Sequence, residues 1–482
     1  MSQQPDFVAA LRSDLSDWRQ WLARVVVLAY AVAAGLSVVA LTWLSEHALD
    51  AFSALQAWHA WLPLLWTPLC TAALVWVTRR FAPGAAGSGI PQVMAALSPS
   101  VGPEHLPLFV SLKLSVAKAL MTAGGLLGGL AIGREGPSVQ VAAGVMQHAA
   151  RWLPQRSAIN HQGLLVAGGA AGIAAAFNAP LAGVMFAIEE LTRKIEQRNS
   201  GLIIAAIVLA GLIAVSFFGN ATYFGVIRVP RLGLDYLLPG LMVVLGCGFL
   251  GGLFARLLHD SIVGGTDRVS ALRQRYPVRF AAGCGLVIAV IGLVSGGVTF
   301  GSGYDYTRRL VEGHTDMPLL YVTLRVVATW LAVWSGVPGG IFAPSLAIGA
   351  GVGNDIALLM QMDAASAPLI ALGMAAFLAA VTQAPITAFI IVMEMVDGHA
   401  MVLSLMAAAL GASLVSRWIS APLYSTLALA QLARLPASAS SPSASASPSD
   451  LSATSASEPA RVHGETLPGE TGRLGSTPPA SG

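Results

Sequence analysis

The sequence predicts an all-α integral membrane protein built from two related sets of tilted, partly broken helices. Three observations carry this. Of 482 residues, 55% are hydrophobic and only 11% are charged, with a mean hydropathy of +0.70; soluble domains carry about 25% charged residues, so the bulk of this chain suits lipid. Apolar stretches recur from Arg24 to residue 417, many too long or too short for a simple span and interrupted by Gly and Pro, the pattern of discontinuous helices around a midplane site. Two blocks of sequence also occur twice, in the same order.

Taken in order, residues 1–23 place Phe7, Leu11, Leu15, Trp18 and Leu22 at helical spacing with Arg12, Asp14, Asp17 and Arg19 between them, an amphipathic helix suited to the membrane interface. Arg24 to Leu44 is long enough to span. Further apolar segments follow near 61–78, 106–132, 138–150, 163–188, 201–218, 237–258, 279–299, 318–336, 340–360, 366–396 and 401–417. The repeat divides them into halves over 24–220 and 221–435. Residues 436–482, rich in Ser, Ala and Pro, read as a disordered tail. No signal peptide pattern precedes Arg24. Basic loops at Arg193, Lys194 and Arg198 and at Arg268, Arg273, Arg275 and Arg279 are separated by two spans. They therefore share one side, expected to be cytoplasmic together with both termini.

The repeat pairs Gly168 to Pro180 with Gly373 to Pro385, which sets Glu189 opposite Glu394, and Gly133 to Val145 with Gly340 to Val352. Small residues alone would serve close helix packing. Two ordered blocks at nearly equal spacing instead indicate a transporter-like architecture with a site between the halves.

The second block contains Gly133-Arg134-Glu135-Gly136-Pro137, between apolar runs. Charges at membrane depth mark a functional site by default. Gly136-Pro137 suits a helix start, whose free N–H groups and dipole attract anions. A carboxylate is thus expected where an anion could also sit; the bland alternative is an Arg–Glu pair in a tight turn.

The excluded classes are as informative. A net charge of +3 with scattered basic residues indicates no nucleic-acid surface. Cys70, Cys247 and Cys284 have neither metal nor disulfide spacing. There is no Gly-Lys dipeptide and no His-Glu-x-x-His, so neither a P-loop pump nor a zinc protease is expected. No cofactor, metal or nucleotide is called for, and no enzymatic activity.

Four motifs then stand in order: Gly87-Ser88-Gly89-Ile90-Pro91, Gly133-Arg134-Glu135-Gly136-Pro137, Gly339-Gly340-Ile341-Phe342-Ala343-Pro344 and Pro422-Leu423-Tyr424-Ser425. With the repeat, they make the chain resemble the CLC family of chloride channels and chloride/proton antiporters over about residues 25–430. The resemblance implies two inverted repeats and a homodimer with one pore per subunit, embedded in lipid. It implies chloride bound by Ser88, Tyr424 and the amides of Ile341 and Phe342. Glu135 is implied as an external gate that occupies an anion position when ionised and swings out when protonated. Glu190, in Phe186-Ala187-Ile188-Glu189-Glu190, matches the internal proton acceptor of the antiporters, with a helical-turn pair to Arg193 or Lys194 as its alternative. Glu189 has the better claim to a structural role. Ser88 favours chloride over nitrate, for nitrate-preferring relatives carry Pro there.

Arg134 and Lys118 are supporting cations by the same resemblance. The acid that commonly accompanies the lysine is not kept, with Gln92 and Met94 in that stretch, which leaves two alternatives: Glu104 as its partner, or an unpaired Lys118 with a lowered pKa and a weaker anion field. The implied activity is exchange of chloride for protons across a bacterial inner membrane; a passive, voltage- or pH-gated chloride channel of the same fold is the alternative. The bacterial type is expected because the chain shows no CBS-like regulatory segment of the kind eukaryotic relatives often append.

Overall fold

The computed structural model describes residues 18–434, apart from 155–158, 193–199, 220–222, 226, 228–232, 266, 315–319 and 363–365. The N-terminal amphipathic stretch before Trp18, the basic loop at 193–198 and the tail from 436 lie outside the described residues.

The first half comprises α1 (Trp18–Trp58), α2 (Pro63–Phe81), α3 (Ile90–Ala96), α4 (Leu106–Phe109), α5 (Leu112–Leu127), α6 (Glu135–His148), α7 (His161–Ala176), α8 (Pro180–Phe186) and α9 (Ser200–Phe218). The second comprises α10 (Leu237–Val263), α11 (Arg268–Arg275), α12 (Pro277–Val294), α13 (Tyr304–Val311), α14 (Tyr321–Ser335), α15 (Phe342–Leu359), α16 (Ser366–Thr382), α17 (Pro385–Met395), α18 (Val402–Arg417) and α19 (Leu423–Leu432). Among the described residues, seven helices are long and apolar enough to cross a membrane. At 41 residues, α1 runs unbroken through Arg24 and measures about 60 Å at 1.5 Å per residue, twice a hydrocarbon core, so it must tilt or project.

The halves break at equivalent places. Between α7 and α8 the chain turns at Asn178 (φ 55°), and between α16 and α17 at Gln383 (φ 59°). Left-handed non-glycine residues are uncommon, and each is followed after one residue by a proline that opens the next helix (Pro180, Pro385). Each break exposes a helix N-terminus, and the opposite half caps it. Glu189 accepts hydrogen bonds from the Ile386 and Thr387 amides of α17 at 3.0 and 2.6 Å. Glu394 accepts from the Leu181 and Ala182 amides of α8 at 3.2 and 2.7 Å. Carboxylates belong at helix N-termini for both dipole and donor reasons.

This exchange between equivalent residues is what a local two-fold axis requires, and the second repeated block shows the same relation. Gly133 and Gly340 form an antiparallel bridge, each amide donating to the other's carbonyl at 2.8 and 2.7 Å. Glycine is needed at Gly340, where a Cβ would lie 2.9 Å from the Gly136 nitrogen, and one on Gly133 would displace the Glu135 carboxylate. α6 and α15 both start within two residues of this antiparallel bridge, an arrangement that suits inverted repeats.

Arg325 of α14 was not singled out by the sequence reading. It is fully buried and donates to the carbonyls of Thr299 and Gly301 at 2.7 and 2.9 Å, tying the loop before α13 to the body of the fold. Its only sequence signal is a lone cation in an apolar segment.

Removal of the Glu189 cap gives a stability prediction. Glu189→Ala leaves two α17 amides without their acceptor and is expected to cost about 1–2 kcal/mol, seen as a lower thermal midpoint of the solubilised protein. An unchanged midpoint would show that α17 does not need the cap.

Candidate functional site

Glu135 is the first residue of α6 and is fully buried. Its Oε2 accepts from the Ala343 amide in the first turn of α15 at 3.4 Å. The carboxylate therefore lies between the N-termini of two helices from opposite halves, where both dipoles favour negative charge. The Ile341 and Phe342 amides precede the first intrahelical donors of α15 and have no acceptor within that helix.

Arg134 does not pair with Glu135. Its guanidinium points away, donating to Glu46 Oε1 at 3.0 Å, the Thr42 carbonyl at 3.3 Å and the Tyr223 hydroxyl at 3.2 Å. The tight-turn ion pair offered as the alternative is thereby excluded, because neighbouring side chains at a helix start diverge.

On the other side of Glu135 stand Ser88 and Tyr424. Ser88 Oγ packs against Gly136, which has no room for a Cβ there. Tyr424 is buried and lies within electrostatic reach of the Ser88 hydroxyl and of the Glu135 and Glu190 carboxylates. Glu135 Oε1 is buried without a hydrogen-bond partner among the described residues, and the buried Ser88 and Tyr424 hydroxyls have at most each other. Under-bonded buried polar groups cost about 1–3 kcal/mol each, so their convergence marks a chamber shaped for a polar occupant. Two hydroxyl donors and two backbone amides suit an anion.

Phe342 walls this chamber. Its ring stacks on Tyr424 at 5.9 Å and meets Phe177 and Phe186 at 6.1 and 6.4 Å. The Gly89 amide is not available to an anion, contrary to expectation for a helix start, because Gln92 Oε1 accepts it at 3.0 Å. Gln92 also donates to the Ala86 carbonyl at 2.5 Å, so it braces the Ser88 turn.

Lys118 corrects an expectation. It is fully buried and donates to the carbonyls of Ala85 and Gly87 at 2.8 and 2.5 Å. Glu104, its expected partner, has a side chain 68% exposed and bonds His105 at 3.1 Å. The face of α5 that carries Lys118 meets the 85–87 turn, whereas Glu104 lies in a surface turn before α4. Backbone carbonyls thus hold the cation directly behind Ser88.

Two cavities lie near the chamber, and the first has Arg273 of the basic helix α11 in its wall. One, of about 430 Å³, has Ser88, Ile341 and Tyr424 in its wall together with Arg273 and Arg434. The other, of about 640 Å³, is lined by Glu189, Glu190, Arg417 and Ser425. The segment Pro422–Tyr424 contributes to both. Glu189 and Glu190 part company because α8 ends in a π-helical turn over Ala187–Leu191, with the Thr192 amide bonded to the Ala187 carbonyl at 2.9 Å. Such turns recur at functional sites; here both carboxylates line the cavity, and Glu189 also caps α17. The ion pairs weighed for Glu190 with Arg193 or Lys194 lie outside the described residues.

Comparison with known proteins bears on this arrangement. The model of a family described as voltage gated chloride channel matches residues 69–417. The H(+)/Cl(-) exchange transporter ClcA of Cronobacter sakazakii is 30% identical over 422 residues, 84% of this chain and 88% of that protein. ClcA of Salmonella typhimurium is 31% identical over 398 residues, 78% of this chain and 81% of that protein. Among solved structures, a slow cyanobacterial Cl−/H+ antiporter superposes with a TM-score of 0.73 at 25% identity, covering 86% of this chain and 98% of that one. With its inverted repeats, its helix N-termini converging on Glu135 and this likeness over most of its length, the chain belongs to the voltage-gated chloride channel (CLC) family of multi-pass membrane proteins.

Proposed function

We propose that the protein exchanges chloride for protons across the inner membrane of a bacterium, as a secondary active transporter. The observation that carries this is the position of Glu135. Its carboxylate bonds the first turn of α15, within reach of the Ser88 and Tyr424 hydroxyls. An ionised Glu135 and a chloride therefore compete for one helix-dipole field, and protonation of the carboxylate releases the position. Ser88, Tyr424 and the Ile341 and Phe342 amides bind the central chloride; Lys118, held by the Ala85 and Gly87 carbonyls, braces the turn behind Ser88. Glu190, in a cavity separate from the anion route, receives protons from the cytoplasm. No metal, nucleotide or catalytic residue enters this cycle.

The names of the similar proteins support antiport rather than passive conduction. Arg79 and Arg434 near Arg273 fit a cytoplasmic mouth that draws anions. Both termini then lie in the cytoplasm, and the first and second repeats divide near residue 220. Two such subunits pair through apolar surface on α9 and α18, where Leu212, Phe217, Leu403 and Leu414 are exposed.

The test uses the purified protein in liposomes with a chloride gradient, no initial pH gradient and the voltage clamped near zero. Proton movement uphill as chloride runs down is the expected result; chloride flux with a flat pH trace would make the protein a channel. Selectivity supplies a second measurement. Ser88→Pro removes a hydroxyl donor and a backbone N–H from the chamber and is expected to shift preference toward nitrate. An unchanged chloride-to-nitrate flux ratio would remove Ser88 from the selectivity assignment.

A further inference from the structure

We propose that Glu46 is a positioning residue for the gate: its carboxylate holds the Arg134 guanidinium and offsets its charge, and so sets how strongly that cation retains ionised Glu135 in the anion position. The inference rests on the reading of Glu135 given above.

Arg134 and Glu135 are adjacent in sequence, yet their side chains part. The carboxylate goes to the Ala343 amide and the guanidinium to Glu46, Thr42 and Tyr223. The Arg134 side chain is 11% exposed and that of Glu46 is 50% exposed. A nearly buried cation thus sits one peptide from the gate, and its ion pair reaches to the surface. Its other two acceptors are neutral. Tyr223 is itself held firmly, with its carbonyl accepting from Tyr304 Oη at 2.8 Å. The neighbouring Phe224 and Ile227 amides donate to the Met395 and Val396 carbonyls at 3.0 and 2.9 Å. Tyr223, which accepts from Arg134, is therefore fixed by Tyr304 and by neighbours that are pinned to the end of α17.

Other charges face Glu46. Asp50 follows one turn along α1 and His47 stands beside it in sequence; Asp305 of α13 lies within electrostatic reach of Glu46, Asp50, Arg308 and Arg309. Arg134 pairs with none of these acids; among the described residues its ion pair is with Glu46.

Loss of the Glu46 charge leaves Arg134 with neutral acceptors, so its field falls on Glu135 with less compensation. Ionised Glu135 is then favoured, and more acid is needed to release it. Glu46→Gln is expected to move the half-maximal pH of chloride exchange toward acid by about one pH unit, measured in liposomes at equal pH on both sides. Glu46→Asp, which keeps the charge, should restore most of the wild-type profile. In a Glu135→Ala background the flux should not depend on pH, and adding Glu46→Gln should change neither its size nor its profile.

An unmoved profile in Glu46→Gln overturns the proposal. So does an equal loss of flux at every pH that persists in the Glu135→Ala background, or a Glu46→Gln protein that cannot be reconstituted while Glu46→Asp can, because either result makes the pair a structural tie. If Glu135→Ala alone keeps the wild-type pH dependence, it is the gate reading that fails, and Glu46 has no gate to position.

Discussion

Glu135→Ala is expected to abolish proton movement while chloride continues to flow. The side chain is the fully buried carboxylate at the meeting of α6 and α15, and its Oε2 takes the Ala343 amide that an anion could take instead. Alanine removes the competitor and the proton carrier together. It leaves the Ser88 and Tyr424 hydroxyls untouched and the α15 amides in place, because the Gly133–Gly340 bridge at the start of α15 is made by backbone. Chloride should therefore run down its gradient with no change in external pH, and with little dependence of the flux on pH. Proton uptake that survives in Glu135→Ala would overturn the coupling role of this residue.

Glu190→Val should also stop proton transport, with a different residue of behaviour. Here the gate carboxylate is intact, so chloride flux should keep its pH dependence while external pH stays flat. The contrast with Glu189 sharpens the test, since the two glutamates are adjacent in one π-helical turn. Glu189 is committed to the Ile386 and Thr387 amides, so its loss should be read in stability; the loss of Glu190 should be read in coupling. Uphill proton movement persisting in Glu190→Val would remove this residue from the proton route. A matching fall in midpoint for both variants would mean that the two carboxylates share a structural duty.

What could be read along the chain was whatever rests on local pattern. Composition placed it in a membrane, the Gly- and Pro-interrupted apolar runs marked broken helices, and the paired blocks marked two halves. The motifs carrying Ser88, Glu135, Ile341 and Tyr424 led to the family, and Glu394 opposite Glu189 already suggested that Glu189 is structural. Those signals survive in sequence because backbone geometry imposes them: a proline can open a helix, and only glycine leaves room where two backbones touch.

Partners across the fold were another matter. Lys118 finds the carbonyls of Ala85 and Gly87 rather than Glu104, Arg134 finds Glu46 rather than Glu135, and Arg325 donates to two carbonyls of a loop before α13. Glu189 and Glu394 cap helices in each other's half. A buried charge must be paired or hydrogen-bonded somewhere, so the sequence by itself determined that these groups needed partners. Which partner each one takes depends on segments far apart in the chain being brought together, and backbone carbonyls, which every residue carries, leave no mark in the sequence. Only the tertiary structure, through the inverted packing of the two halves, decided that.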